Sequence, residues 1–519
     1  MKPIALASTL LLIASSLTLR AADANFEPPV PATDGTLPAL TAIAGQATMN
    51  SHSYDYLEEL SDDIGGRVTG SPQAAQAIEW GLAKMRSIGL SNVRAEKWSL
   101  SRGWTRVSAD AELVSPIHRH LHIDSLGWVG STPKGGAEAE VVTVDLTELD
   151  REVKENSGHW SGKILMMQQK DELSREQREK LYVKFGPFLR AAYAAHAVAV
   201  IGGQGGTKAR GMDLTHTGAL GFDEYFEIPV VSMAAEDQQQ LERFLKQGKA
   251  VHVKLDVQNR VIDGPVETAN VVGEIPGSVH PEQIVVVGGH LDSWDLAQGA
   301  TDDGVGVATT LGSAEAILNA KVRPKRTIRF VLFTGEEQGL LGSLAYVKMH
   351  KNEMPNHVAA IVLDNGQGPV VSFNLGGRDD LIPAVEKFAQ SISAFGTFKT
   401  DDGVEFGTDV GPFVLAGLPG INLDQDSPEY KFTHHSAVDT LDKVQPDILL
   451  RNTAVMALTS YWIADRPERL ATPWPPERTA RMLIRKKKDE SLKAFGLWTF
   501  GDLGRDSSKP PAASTGTSQ

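Results

Sequence analysis

Between residues 270 and 465, three short, dense apolar runs alternate with helical patterns, and no other feature narrows the possible folds as much. The runs are 284–287 (IVVV), 328–333 (IRFVLF) and 359–363 (AAIVL), each bounded by Gly or Asp. Helix-like spacing fills 304–318 and 340–350 between them, and a long closing helix is expected over 447–464. Near-continuous apolar strands bury both of their faces, which parallel sheets achieve by placing helices above and below. The expectation is therefore an α/β fold: a mixed, mostly parallel central sheet covered by helices on both faces.

Other parts of the chain read less sharply. Residues 54–60 and 72–85 are expected as amphipathic helices, with Ser71 placed as an N-cap behind the loop GGRVTGS. Strand-like alternation follows over 104–126. From 130 to 261, apolar strands (162–167, 197–201, 228–233) alternate with helices (188–195, 235–247), which predicts a smaller inserted α/β unit. The expected main domain is thus discontinuous, over 25–129 and 262–466. Beyond Pro467 a Pro-rich, basic extension runs to 519, and its end from about 506 has the Ser/Pro/Thr composition of a disordered tail.

A length of 519 residues suits more than one core. The formal charge of −14 disfavours a nucleic-acid partner, which would need a basic face. The one basic run, 485–488, reads as a solvated patch. With no cysteine at all, thiolate metal sites, disulfides and a cysteine nucleophile are excluded. Lys2, the apolar run 4–19 and Ala21-Ala22-Asp23-Ala24 together describe a signal peptide over 1–24, cleaved after Ala21 or Ala24. The run is shorter than the roughly 20 residues a membrane span requires. Export to a periplasmic or extracellular location, with no stable membrane anchor after cleavage, is the expectation.

Each apolar run of the main domain ends in groups that bind metals. The first leads into Gly288-Gly289-His290-Leu291-Asp292, the second into Thr334-Gly335-Glu336-Glu337, the third into Asp364. The loop after the first run adds Asp302 and Asp303, and a later loop adds His434 and His435. Open parallel sheets gather their ligands at the carboxyl ends of strands. One histidine alone is ordinarily structural, and two glutamates alone are a solvated turn. Gathering all these groups at one sheet edge is costly without a cation to pair them. Imidazole with carboxylate and no thiolate suits zinc, and the surplus of carboxylates suits two ions sharing a bridging Asp.

The segments GGHLDSWD, GATDDGVG, TGEEQGLLGS, VLDNG and HHSAVDT, in this order, resemble the successive motifs of the cocatalytic-zinc aminopeptidase and carboxypeptidase family. The resemblance covers about 54 to 465. It implies that His290 and Asp364 hold one zinc, that Glu337 and His435 hold the other, and that Asp302 bridges them. Asp292 would orient the His290 ring and Glu336 would act as general base. His435 is preferred over His434 because Asp439 follows four residues later, and Asp302 over Asp303 because Gly306 occupies the family's small-residue position. A cis peptide after the bridging Asp is also implied. The 130–261 insert resembles a protease-associated domain that shapes the cleft, and dimers are common in the family.

The implied activity is zinc-dependent exopeptidase hydrolysis of dipeptides or short peptides. A non-catalytic receptor homologue and a single-zinc glutaminyl-cyclase-like acyltransferase share the scaffold. A serine hydrolase is disfavoured because no Gly-x-Ser-x-Gly turn is present.

Overall fold

The computed structural model of the chain describes residues 37–168, 174–202 and 212–504. The expected signal peptide and the Ser/Pro/Thr-rich end lie outside these residues. Among the described residues, seven strands precede residue 250: β1 (Ser91–Ser115), β2 (Arg119–Leu121), β3 (Ile123–Ser125), β4 (Ala137–Asp145), β5 (Lys163–Gln168), β6 (Ala199–Ile201) and β7 (Val230–Met233). Seven follow: β8 (His252–Ile275), β9 (His280–His290), β10 (Arg326–Phe333), β11 (His357–Val362), β12 (Val370–Asn374), β13 (Lys399–Asp401) and β14 (Gly420–Gln425). All belong to one sheet, in the order β13-β12-β14-β11-β9-β10-β8-β4-β5-β6-β7-β3, with β1 along β8 and β2 along β1.

The sheet is mixed α/β and mostly parallel, as the apolar runs predict. β9 pairs in parallel with β10 and β11, and β11 pairs in parallel with β14. Both faces are covered. Val285 and Val287 pack into one apolar cluster while Val286 between them packs into another, so alternate side chains enter separate cores. The helices Val305–Asn319 and Pro446–Asp465 both pack into the first cluster, and Tyr346 and Phe413 lie in the second.

A second parallel group, β4 to β7, has its own cores around Val253, Ile164 and Phe188. The two groups are continuous through β8. Its first half pairs antiparallel with β4 (Leu255↔Ala137), and its second half pairs antiparallel with β10 (Val271↔Leu332). β1 runs antiparallel along it from Ser91↔Glu274 to Ser115↔His252. The 261/262 boundary read from sequence therefore falls inside an unbroken strand. Ala111, Leu121 and Ile123 also pack with the second group rather than the first.

Two other elements differ from expectation. The helix Arg175–Ala194 starts well before 188, because Ser174 and Gln177 form a reciprocal capping box. The C-terminal extension contains two helices, Pro476–Arg485 and Asp489–Ala494. It docks on the main domain by burying Trp474, Met482, Leu483, Leu492 and Phe500 against Val404 and Val414. Ser71 does cap the helix Pro72–Ile88, accepting the Ala74 N–H at 3.1 Å.

Candidate metal centre

Strand polarity assembles the site. His290 is the last residue of β9, Glu336 and Glu337 follow β10 by one short turn, and Asp364 lies two residues beyond β11. Because these strands are parallel, all three exits share one edge of the sheet. Asp302 lies in the turn Ala300–Gly304 that opens the helix Val305–Asn319, and the Asp302–Asp303 peptide is cis. His434 and His435 follow the short helix Tyr430–Thr433.

The side chains converge. Nε2 of His290 lies 3.2 Å from Asp302 Oδ1 and 3.6 Å from Asp364 Oδ1. Nε2 of His435 lies 2.9 Å from Glu337 Oε2 and 3.3 Å from Asp302 Oδ2. Asp302 thus turns one oxygen to each imidazole. Three atoms here are buried without a hydrogen bond: His290 Nε2, Asp302 Oδ2 and Glu337 Oε1. Buried polar atoms are rarely left so, and a cation between them satisfies all three.

Neighbouring residues separate by geometry. Asp303 turns away: its Oδ2 accepts the His290 backbone N–H at 3.0 Å and its Oδ1 accepts that of Gly306 at 2.9 Å. A Cβ at Gly306 would lie 2.1 Å from Asp303 Oδ2, so this packing admits only glycine. His434 is farther from the cluster than His435, with Nε2 3.8 Å from Asp302 Oδ2, and it is more exposed. Asp292 lies behind His290, but its backbone carbonyl takes the ring, accepting from Nδ1 at 2.9 Å. Its carboxylate instead holds the glutamate turn, accepting the N–H groups of Glu336 at 3.3 Å and Glu337 at 3.4 Å, and the Thr69 hydroxyl at 2.8 Å. Trp294 Nε1 donates to Glu337 Oε2 at 2.6 Å.

Two buried charges had no signal in the sequence. Arg67 is fully buried, and its guanidinium donates to the carbonyls of Leu291 (2.7 Å), Gly65 (3.0 Å), Gln298 (2.7 Å) and Gly299 (3.0 Å). Asp409 is fully buried, and burial pushes its carboxyl up to about 7.

Titration behaviour reflects an excess of acid. Burial pushes Glu336 well above the carboxylate range, Glu337 up to about 7 and Asp364 up to about 6. Burial opposes the charged form of His290 and His435, yet the surrounding carboxylates outweigh it and hold both well above the usual imidazole value. In the protein alone these imidazoles offset part of the cluster's negative charge. A divalent cation does so better, leaving neutral imidazoles as ligands. Above the cluster lies a cavity of about 280 Å³, lined by Asp302, Glu336, Glu337, Asp364, His434 and His435 on its polar side.

A buried His/carboxylate cluster at the carboxyl edge of a mostly parallel sheet, open to a small cavity, is the arrangement of a metal centre with room for a small substrate. Residues 270–460 match Peptidase family M28. The chain is 30% identical to carboxypeptidase Q of Mus musculus over 437 residues, covering 83% of this chain and 90% of that protein. It is 31% identical to carboxypeptidase Q of Homo sapiens over 430 residues, covering 83% and 88%. Among solved structures it is similar to a peptidase M28 precursor from Shewanella amazonensis, with TM-score 0.73 and 31% identity over 85% of this chain and 99% of that one. A zinc aminopeptidase from Bacillus subtilis shares the fold, with TM-score 0.62 and 21% identity over 82% and 97%. The chain belongs to Peptidase family M28 and is a zinc metallo-exopeptidase acting on peptides.

Proposed function

We propose that this chain hydrolyses dipeptides or short peptides with two zinc ions. His290 and Asp364 would hold one, Glu337 and His435 the other, with Asp302 shared between them. The observation that carries this reading is the division of Asp302, whose Oδ1 is 3.2 Å from His290 and whose Oδ2 is 3.3 Å from His435. The unbonded buried atoms of His290, Asp302 and Glu337 fit the same assignment. When bound, zinc supplies Lewis acidity toward the scissile carbonyl and makes water a competent nucleophile at neutral pH.

The protein's own part is positioning and proton transfer. Glu336 lines the cavity beside the ligands. It takes a proton from the attacking water and returns it to the departing amine. Asp292, by holding both backbone N–H groups of the glutamate turn, keeps Glu336 and Glu337 in their separate directions. Residues 130–261 act as a protease-associated-like insert that walls the cleft, and the 1–24 pattern directs export.

Dialysis against a chelator, then titration with zinc, tests the reading. Hydrolysis of dipeptides should disappear and return as two zinc ions bind per chain. Hydrolysis restored at one zinc per chain would overturn the two-zinc assignment, binding of a single zinc with no hydrolysis would favour the acyltransferase, and no hydrolysis whatever the zinc content would favour a receptor.

A further inference from the structure

The C-terminal extension is absent from the motif series, yet it reaches the cavity over the metal cluster. The apolar part of the lining comes from three parts of the chain. Leu340 and Phe406 belong to the main domain, Tyr182 and Phe222 to the 130–261 segment, and Phe495 to the extension. Phe222 and Phe495 meet with ring centroids 4.7 Å apart, tilted at 46°. Both stay partly exposed, as cavity walls do and core pairs do not.

Each ring is held from behind. Phe222 lies on Gly339, where a Cβ would come within 2.3 Å of the ring, and the Asp223 N–H donates to the Gln338 carbonyl at 3.1 Å. The ring therefore rests on the same loop that carries Glu336 and Glu337. Phe495 is the C-cap of the helix Asp489–Ala494, which packs against the helix Arg175–Ala194 and buries Leu492 beside Trp474 and Met482. Trp474 is in turn anchored, its N–H donating to the Gly417 carbonyl at 2.8 Å.

The chemistry of the lining selects the ligand group. Among the described residues, no Lys or Arg lines this cavity. A substrate group placed against Phe222 and Phe495 meets aromatic surface, which favours an apolar side chain and rejects a charged one. A volume of about 280 Å³ is at the small end for ligand pockets. It suits a dipeptide carrying one large side chain.

We propose that Phe495 and Phe222 are specificity-determining residues that receive a large apolar side chain of the peptide residue beside the scissile bond, so that the C-terminal extension is a working wall of the cleft. This rests on the peptidase reading above. The test compares kcat/KM for matched dipeptides with Phe, Leu or Ala at one position, using the zinc-loaded full chain and its Phe495→Ala, Phe495→Leu and Phe222→Ala variants, with thermal unfolding alongside. The unaltered protein should prefer Phe and Leu. Phe495→Ala and Phe222→Ala should each lower the Phe/Ala ratio by about 10-fold, chiefly through KM, and Phe495→Leu should retain most of the preference. Folded variants with an unchanged ratio would overturn the proposal, as would an unaltered protein that prefers Ala. Should Phe495→Ala fail to fold, Phe222→Ala and Phe495→Leu decide by the same ratio. Absence of hydrolysis by the unaltered protein would remove the peptidase reading itself, and this inference with it.

Discussion

His435 and Thr217 exchange two hydrogen bonds: the imidazole Nδ1 donates to the Thr217 carbonyl at 3.2 Å, and the Thr217 N–H donates to the His435 carbonyl at 2.9 Å. A carbonyl can only accept, so Nδ1 carries a proton, and Nε2, which faces Glu337 and Asp302, is the nitrogen left to bind a cation. Thr217 belongs to the 130–261 segment. One proposed ligand is therefore oriented by a residue of the 130–261 segment.

Thr217→Pro removes the N–H half of this pair. Zinc affinity should fall by up to about 10-fold, because the Thr217 carbonyl that orients the ring loses the hydrogen bond that fixes its own position. Competition with a chromophoric chelator measures it. Unaltered affinity in a folded variant would show that His435 needs no such support.

Glu336→Gln and Glu337→Gln should part company. Glu336→Gln keeps the shape of the side chain and removes the base, so bound zinc should persist while the rate falls by about 10²–10⁴-fold. Glu337→Gln should release one zinc ion, with partial rescue by excess metal. Zinc per chain, measured beside the rate of each variant, separates the two roles. If Glu336→Gln loses zinc and Glu337→Gln keeps it, the roles are reversed.

The strands and their exits were legible because the pattern is local. A dense apolar run ending in Gly-Gly-His or Gly-Glu-Glu states both the strand and what stands at its end. The choice between adjacent residues was not local. Asp302 and Asp303 differ only in what their oxygens meet, and Asp303 is committed to the His290 and Gly306 N–H groups. The same holds for Asp292, whose carboxylate serves the glutamate turn through residues more than forty positions away. Arg67 escaped notice because its partners are main-chain carbonyls, and these carry no sequence signature. The continuity of the sheet across 261/262 was hidden because β8 spans that position as one strand.

Arg67 is expected to be a stability determinant near the site. Its guanidinium satisfies carbonyls at 65, 291, 298 and 299 and lies in the field of Asp439, Asp292, Asp303 and Asp302. Burial lowers its pKa to about 10, so it stays charged at neutral pH. Arg67→Met leaves buried carbonyls unpaired and should cost about 3–5 kcal/mol in urea unfolding. Arg67→Lys keeps the charge but lacks the planar fork, and should recover only part of that loss. Equal stability of all three proteins would contradict this role.

The buried histidine His357 sets a pH dependence of stability away from the metal centre. Its Nδ1 donates to the Glu353 carbonyl at 3.0 Å, and its Nε2 accepts from the Tyr346 hydroxyl at 2.9 Å, so the neutral ring is fully bonded. Burial, with the charges of Arg329 and His350 nearby, pulls its pKa down from 6.5 to about 4. Between these values the unfolded chain binds a proton that the folded one refuses, so stability rises with pH. The contribution is complete above about pH 6.5 and is lost as pH falls toward 4. From pH 7 to pH 5 the expected loss from this residue is about 2 kcal/mol. Glu96, His350 and Glu353 form a hydrogen-bonded group beside this site, so the comparison must be with His357→Asn. Urea unfolding of both proteins at the two pH values, with chelator present throughout, removes the metal from the balance. His357→Asn should be less stable at pH 7 and should lose less on going to pH 5. Parallel losses in the two proteins would show that His357 is protonated in the folded state, and the buried hydrogen-bond pattern would then need a different proton arrangement.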